Sequence, residues 1–296
     1  MDWGVAATGL LTGLLVGMTG MGGGALTMPL LTLVFGVPPL AAVSSDLVAG
    51  AVMKPLGAVV HLRRRTVQPK LVGWLCLGSL PCAAVGSLLA GSLGAGAESV
   101  LKEVIGGAVL LAAGMLFLRM LLARRRGGGP GGLVVRPLPT VLLGGVAGLV
   151  VGLTSVGSGS IIIVVLLLLN PGLSSARLVG TDLVQAVPLV LVAAVGHLFA
   201  GDVHFGLVGA LLVGSLPGVL VGALISARVP DRPVRVLVGG MLVATGLVML
   251  GAGVLLGGAA GLLAVLLGVV LSAGGQREVV AAGGGRSVRR DGEVSG

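Results

Sequence analysis

Long apolar runs separated by short polar breaks set the pattern of this chain. They lie at about 5–37, 40–62, 70–91 and 100–122, then at 139–170, 174–199, 205–227, 233–256 and 257–271. About 20 such residues cross the hydrocarbon core of a bilayer as one helix. The first run of each set is longer than that and is interrupted by glycine. One interruption is Gly17-Met18-Thr19-Gly20-Met21-Gly22-Gly23-Gly24; the other is Gly152-Leu153-Thr154-Ser155-Val156-Gly157-Ser158-Gly159-Ser160. Each glycine costs a helix roughly 1 kcal/mol relative to alanine, so several together favour a break. Within a membrane, broken backbone survives only where protein covers it or a watery cavity solvates it. Two breaks at corresponding positions are the mark of a binding site in a transporter built from two repeats.

The repeat is legible by subtraction. Gly9, Gly13, Gly17, Thr19, Gly22 and Gly24 recur as Gly144, Gly148, Gly152, Thr154, Gly157 and Gly159 at one offset (144 − 9 = 135). One residue further in register (182 − 46 = 136), Val43, Asp46 and His61 recur as Val179, Asp182 and His197. At that offset Gly78-Ser79-Leu80-Pro81 recurs as Gly214-Ser215-Leu216-Pro217. The expected fold is an all-α integral membrane protein of two inverted-topology repeats. Each repeat is a glycine-broken hairpin segment plus three transmembrane helices, and an extra C-terminal helix follows, giving eight to nine hydrophobic segments. The expected divisions are a first repeat at 1–123, a basic Gly-rich connector at 124–137, a second repeat at 138–256, the extra helix at 257–273 and a disordered tail at 274–296.

Composition agrees with a membrane protein: 55% of the residues are hydrophobic and 10% charged, with a mean hydropathy of +1.14. The formal charge of +9 would suit nucleic acid, but the arginines sit in short loops and a tail. There they report orientation, because basic loops stay cytoplasmic. Arg63, Arg64, Arg65 and Lys70 put the loop after the second run inside. The equivalent loop, Ala200-Gly201-Asp202-Val203, has no basic residue, whereas Arg228, Arg232 and Arg235 mark the loop after it. Equivalent loops therefore face opposite sides, which makes the repeat inverted. The N-terminus is expected outside and the tail, with Arg277, Arg286, Arg289 and Arg290, cytoplasmic. Met1-Asp2-Trp3 lacks the basic stretch of a cleaved signal peptide. Cys76 and Cys82 fall in one apolar run and read as packing residues.

At the breaks, Thr19, Gly22, Gly23 and Gly24, with Thr154, Gly157, Ser158 and Gly159, are the candidate substrate-binding residues. A helix restarting there points free N–H groups and a positive dipole end inward, which suits a small anion. The alternative is that the glycines only allow helices to pack closely. A phosphate-binding P-loop is excluded, because no Lys-Ser or Lys-Thr follows the glycines. Asp46, Gly50, Lys54, Gly57 and His61 are spaced four, four, three and four, so they share one helix face. Lys54 reads as a counter-charge for an anion or as the partner of Asp46; its repeat equivalent is Val190. Asp46, Asp182 and Gln185 are candidates for a polar path or a coupling ion, and the two aspartates alternatively cap their helices. His61 and His197 belong to the same set but also suit span ends, as His204 suits a loop. No metal-ligand cluster and no cofactor are expected.

At this point the residues resemble a known family. Gly13–Gly24 with Pro29, Ser44-Ser45-Asp46 and Lys54-Pro55-Leu56-Gly57-Ala58 with His61 are similar to the first half of the sulfite exporter TauE/SafE family. Gly180-Thr181-Asp182-Leu183, His197 and Gly201-Asp202-Val203 are similar to its second half. The resemblance spans about residues 9–250 and departs at Ser158, where the first copy has Gly23. It implies a multi-pass permease of the bacterial cell membrane for sulfite, sulfonates or other sulfur-containing organic anions. The partners expected are a small anionic substrate, the lipid bilayer and, because no nucleotide-binding motif appears, a coupling ion (proton or sodium) unless the substrate's own gradient drives transport; a homodimer is left open and nucleic acid is not expected. Two alternatives stand beside it. One is a non-transporting scaffold or biogenesis factor. The other is an intramembrane serine hydrolase, with Ser158 or Ser160 as nucleophile and His197 as base. The expected answer is a transporter and not an enzyme.

Overall fold

The computed structural model describes residues 2–19, 23–94, 97–124, 136–170, 172–200, 202–226 and 231–287. Among them the chain is helical throughout, without strands. The first half contributes α1 (Trp3–Thr19), α2 (Gly24–Leu33), α3 (Pro39–Arg63), α4 (Pro69–Gly94) and α5 (Glu98–Arg124). The second contributes α6 (Pro137–Thr154), α7 (Ile161–Leu169), α8 (Ser175–Ala200), α9 (Phe205–Ser226) and α10 (Asp231–Met249), and α11 (Val254–Ser287) follows. Among the described residues six helices, α3, α4, α5, α6, α8 and α9, are long and apolar enough to cross a bilayer. The connector at 125–135 and the tail from 288 lie outside the described residues.

Both long first runs are broken at the glycines. After α6, Ser155 takes a left-handed conformation (φ 59°) and accepts no further helical turn; Gly157 (φ 119°) and Gly159 (φ 94°) continue in backbone that suits glycine. In the first half α1 stops at Thr19 and α2 restarts at Gly24.

Hydrocarbon supplies no hydrophobic force between helices, so small residues that let backbones touch hold them together. Gly9 and Gly13 of α1 lie on the backbone of Leu211 and Ser215 of α9, where a Cβ on Gly13 would sit 2.5 Å from the Ser215 carbonyl. Gly144, Gly148 and Gly152 of α6 lie in the same way on Leu75, Ser79 and Ala83 of α4. These are one set of contacts repeated at the offsets read from the sequence. At the centre α3 meets α8, with Ser44 beside His197, and with Gly50 on Val190, Gly57 on Leu183 and Gly180 on His61. The pair therefore runs antiparallel. This one pair of equivalent helices points in opposite directions, the relation an inverted repeat requires.

Two boundaries differ from expectation. The run at 233–256 is not one helix: α10 ends at Met249 and α11 begins at Val254, because Gly251 (φ 89°) and Gly253 (φ 74°) turn the chain between them. The helix that was expected to end at residue 273 continues as α11 to Ser287 and packs along α10.

Candidate functional site

The polar face of α3 lines a cavity of about 240 Å³. Asp46, Gly50, Lys54, Gly57 and His61 all reach it, as their spacing on one face requires. Thr12 and Gly17 of α1, and Gly23, Gly24 and Thr27 at the start of α2, form the facing wall. Ser155 closes the end near Asp46, and Leu183 and Val190 of α8 with Leu211, Ser215 and Val219 of α9 complete the lining. The small residues on α3 let α8 approach: a Cβ on Gly57 would lie 2.8 Å from Leu183 Cδ2.

Lys54 stands inside a spanning helix, where an ionised side chain is costly unless it meets opposite charge, a hydrogen-bond partner or water. Its Nζ donates to Ser158 Oγ at 2.8 Å, and the carboxylates of Asp46 and Asp182 act on it electrostatically. Asp46 accepts from Ser155 Oγ at 2.6 Å; the Thr27 hydroxyl, which donates to the Gly23 carbonyl at 3.1 Å, lies in the same cavity wall. Asp182 is almost wholly buried; the Gly159 backbone N–H donates to its carboxylate, and Arg119 of α5 acts on it electrostatically. Asp182 Oδ1 has no hydrogen-bond partner among the described residues. The site thus joins two carboxylates and a lysine from α3 and α8 through the residues of the second break.

The alternatives open for these groups narrow. Asp46 and Asp182 each lie beyond the first turn of their helices, so neither caps a helix start. Lys54 and Asp46 form no salt bridge; each bonds a different serine of the second break. Gly24 is a contact residue, since a Cβ there would collide with the Ser155 carbonyl, whereas Gly23 has ordinary space around it.

Several candidates stand away from the cavity. Thr19 Oγ1 donates to the Leu15 carbonyl at 2.6 Å and Thr154 Oγ1 to the Val150 carbonyl at 2.7 Å, so both hydroxyls serve their own helix ends. Gln185 Nε2 donates to Ser79 Oγ at 2.7 Å. His197 Nε2–H donates to the Gly152 carbonyl at 2.8 Å, and its Nδ1 accepts from Ser44 at 2.8 Å. Gly157, Ser158 and Gly159 do not line the cavity; Ser158 and Gly159 touch the site through Lys54 and Asp182. Gly22 lies outside the described residues. His204 pairs with Asp202 at 3.1 Å in an exposed loop.

Ser155 and Thr27 were missed by sequence reasoning. Ser155 sits directly after Thr154, at the residue where α6 ends, and a hydroxyl at that position was the available signal. Thr27 lies one turn into α2, four residues after Gly23 in the restarting helix.

The family described as Sulfite exporter TauE/SafE matches residues 5–249. That span ends where α10 ends, so α11 lies beyond it. The chain is 36% identical over 255 residues to the probable membrane transporter protein YjnA of Bacillus subtilis (strain 168), covering 83% of this chain and 99% of that relative. It is 28% identical over 200 residues to the probable membrane transporter protein YdhB of the same organism, covering 67% of this chain and 79% of that relative. No solved structure gives a significant match.

Proposed function

The chain belongs to the sulfite exporter TauE/SafE family of membrane transporters, and on that premise we propose that it is a secondary permease for small anions. The substrate class is sulfite, sulfonates or related sulfur-containing organic anions, and the site is the cavity between α3 and the first helix break. The observation that carries this reading is the half-buried Lys54 in a cavity also lined by Gly23 and Gly24, at the start of α2. A lysine ammonium and a helix N-terminus both favour negative charge. A bound anion takes the place of Ser158 as the partner of the Lys54 ammonium.

Lys54 already has two carboxylates for company, so an arriving anion meets repulsion as well as attraction. A proton or sodium ion taken up at Asp46 or Asp182 offsets that repulsion and couples transport to an ion gradient. The N-terminus lies outside and the C-terminal tail in the cytoplasm, as the basic loops require. The hydrolase alternative gains no support: both ring nitrogens of His197 are engaged elsewhere, and Ser158 meets Lys54 without lining the cavity.

Uptake of radiolabelled sulfite, thiosulfate and sulfoacetate into proteoliposomes tests the reading. Saturable uptake of one of them, lost in Lys54→Met, supports it. Absence of uptake under imposed proton, sodium and substrate gradients alike overturns it in favour of the scaffold alternative.

A further inference from the structure

The two halves share one set of contacts, but they do not share one state. In the second half, His197 Nε2–H donates to the carbonyl of Gly152, in the last turn of the broken helix α6, at 2.8 Å. His197 is fully buried, and Gly152 rests on the equally buried Ala83 of α4. Val151, one residue before that glycine, is likewise shut off from solvent. The repeat equivalents of these four residues are His61, Gly17, Val219 and Val16 (197 − 136, 152 − 135, 83 + 136 and 151 − 135). All four line the cavity. No hydrogen bond joins His61 to Gly17; His61 Nδ1 lies instead 2.9 Å from Thr66 Oγ1, at the end of its own helix. These positions are thus latched and shut off from the cavity in one set and unlatched and lining it in the other, while α1 and α9 themselves stay in backbone contact.

The geometry around them gives the difference a direction. Because α3 and α8 run antiparallel, His61 and His197 stand at opposite ends of the central helix pair. The cavity reaches Val60 and His61, just before Arg63, and not the His197 end. We propose that His61 and His197 are the paired gate residues of this transporter. Each closes its own side by donating to the carbonyl of the glycine in the last turn of its half's broken helix, Gly17 or Gly152, and transport exchanges which latch is made. The inference rests on the permease reading above. It goes beyond that reading by assigning the gates and by stating that the present structure is latched at His197 and open at His61. Inverted repeats exchange states in this manner when one half rocks against the other around a fixed site.

Two reporter positions distinguish the states. On a background without Cys76 and Cys82, Val16→Cys and Val151→Cys are labelled with a membrane-impermeant methanethiosulfonate added from either side. Val16→Cys is expected to react from the side where Arg64→Cys reacts, and Val151→Cys to stay unreactive. Adding His197→Ala releases the closed latch: Val151→Cys becomes reactive from the opposite side, at least fivefold faster, while Val16→Cys slows by a similar factor. His197→Gln keeps an N–H donor and restores the original pattern. His61→Ala, whose latch is not made here, leaves Val16→Cys reactive and Val151→Cys protected; this arm serves even where His197→Ala folds poorly. The proposal is overturned if His197→Ala raises reactivity at both positions together, as simple loosening would, or changes neither, or if His61→Ala exposes Val151→Cys. Labelling is read without substrate. An exchange of reactivity without uptake of any anion would sink the permease reading and leave the latches standing, and uptake without an exchange would do the reverse.

Discussion

The Lys54 ammonium of α3 donates to the Ser158 hydroxyl at 2.8 Å, so the half-buried cation of one half is held by the helix break of the other. The contact crosses 104 residues of sequence and ties the two repeats together at the cavity. A hydroxyl is a weaker partner for this half-buried ammonium than an anion, which adds Coulombic attraction to the hydrogen bond. The lysine is held in place and still available.

Removal of that charge tests the central claim. Lys54→Met keeps an unbranched side chain of nearly the same length and discards the ammonium. Initial uptake is expected to fall at least tenfold while the yield of monodisperse protein stays similar. A collapse of yield with uptake per folded molecule unchanged would make Lys54 a structural pairing residue.

The glycines of the first break separate into two kinds. Gly24→Ala forces a methyl group into the Ser155 carbonyl and is expected to lower the melting temperature of the purified protein by several degrees. Gly23→Ala meets only Val16 and Thr27 at 3.5 and 3.6 Å and should fold normally. Gly23→Leu carries bulk into the cavity and should abolish ligand-induced thermal stabilisation, which follows from mass action on the folded state. Gly107, with nothing within 4 Å, should accept Leu without loss of either property.

Asp46 depends on Ser155. Ser155→Ala leaves the half-buried carboxylate short of a donor, and a lost bond to a charged group of this kind costs about 1–3 kcal/mol. Denaturation monitored in detergent should show that loss. The double variant with Asp46→Asn should recover part of it, since the charge that needs the donor is gone. No recovery would mean that Ser155 acts through its backbone conformation alone.

Asp182 is the test of coupling. Asp182→Asn preserves shape and removes the titrating group. If Asp182 carries the coupling ion, uptake in the variant should no longer respond to an imposed pH or sodium gradient, whereas wild-type uptake should change severalfold. An unchanged gradient response would assign coupling to Asp46 or remove it from this pair.

Orientation is tested outside the membrane. Arg64→Cys and His204→Cys, in exposed positions after α3 and α8, should label from opposite sides on a cysteine-free background. Labelling from one side would defeat the inverted arrangement in the membrane.

The helices were legible because apolar runs of membrane length leave few other options, and the breaks were legible because glycine clusters contradict continuous helix. The face carrying Asp46, Lys54 and His61 followed from helical spacing alone. What could not be read is which hydroxyls serve the cavity. Thr19 and Thr154 looked the part, yet a threonine in the last turn of a helix has its own carbonyls within reach and bonds to them. Ser155 and Thr27 became visible only once α6 and α2 were brought against α3. The division between Gly23 and Gly24 was equally hidden, because neighbouring glycines look alike until another backbone lies against one of them. The end of α10 depended on two glycines in an apolar stretch that hydropathy counts as continuous.

The glycine seams also set an order of assembly. Gly144 of α6 rests on Leu75 of α4, a partner made 69 residues earlier (144 − 75). Gly9 of α1 rests on Leu211 of α9, made 202 residues later (211 − 9). During synthesis the second broken helix finds its groove waiting, whereas the first enters the bilayer long before its own groove exists. The wall of the cavity built from α1 and α2 is therefore finished only when α9 leaves the ribosome, and a chain stopped at the connector holds every residue of the polar face of α3 without a closed site around it.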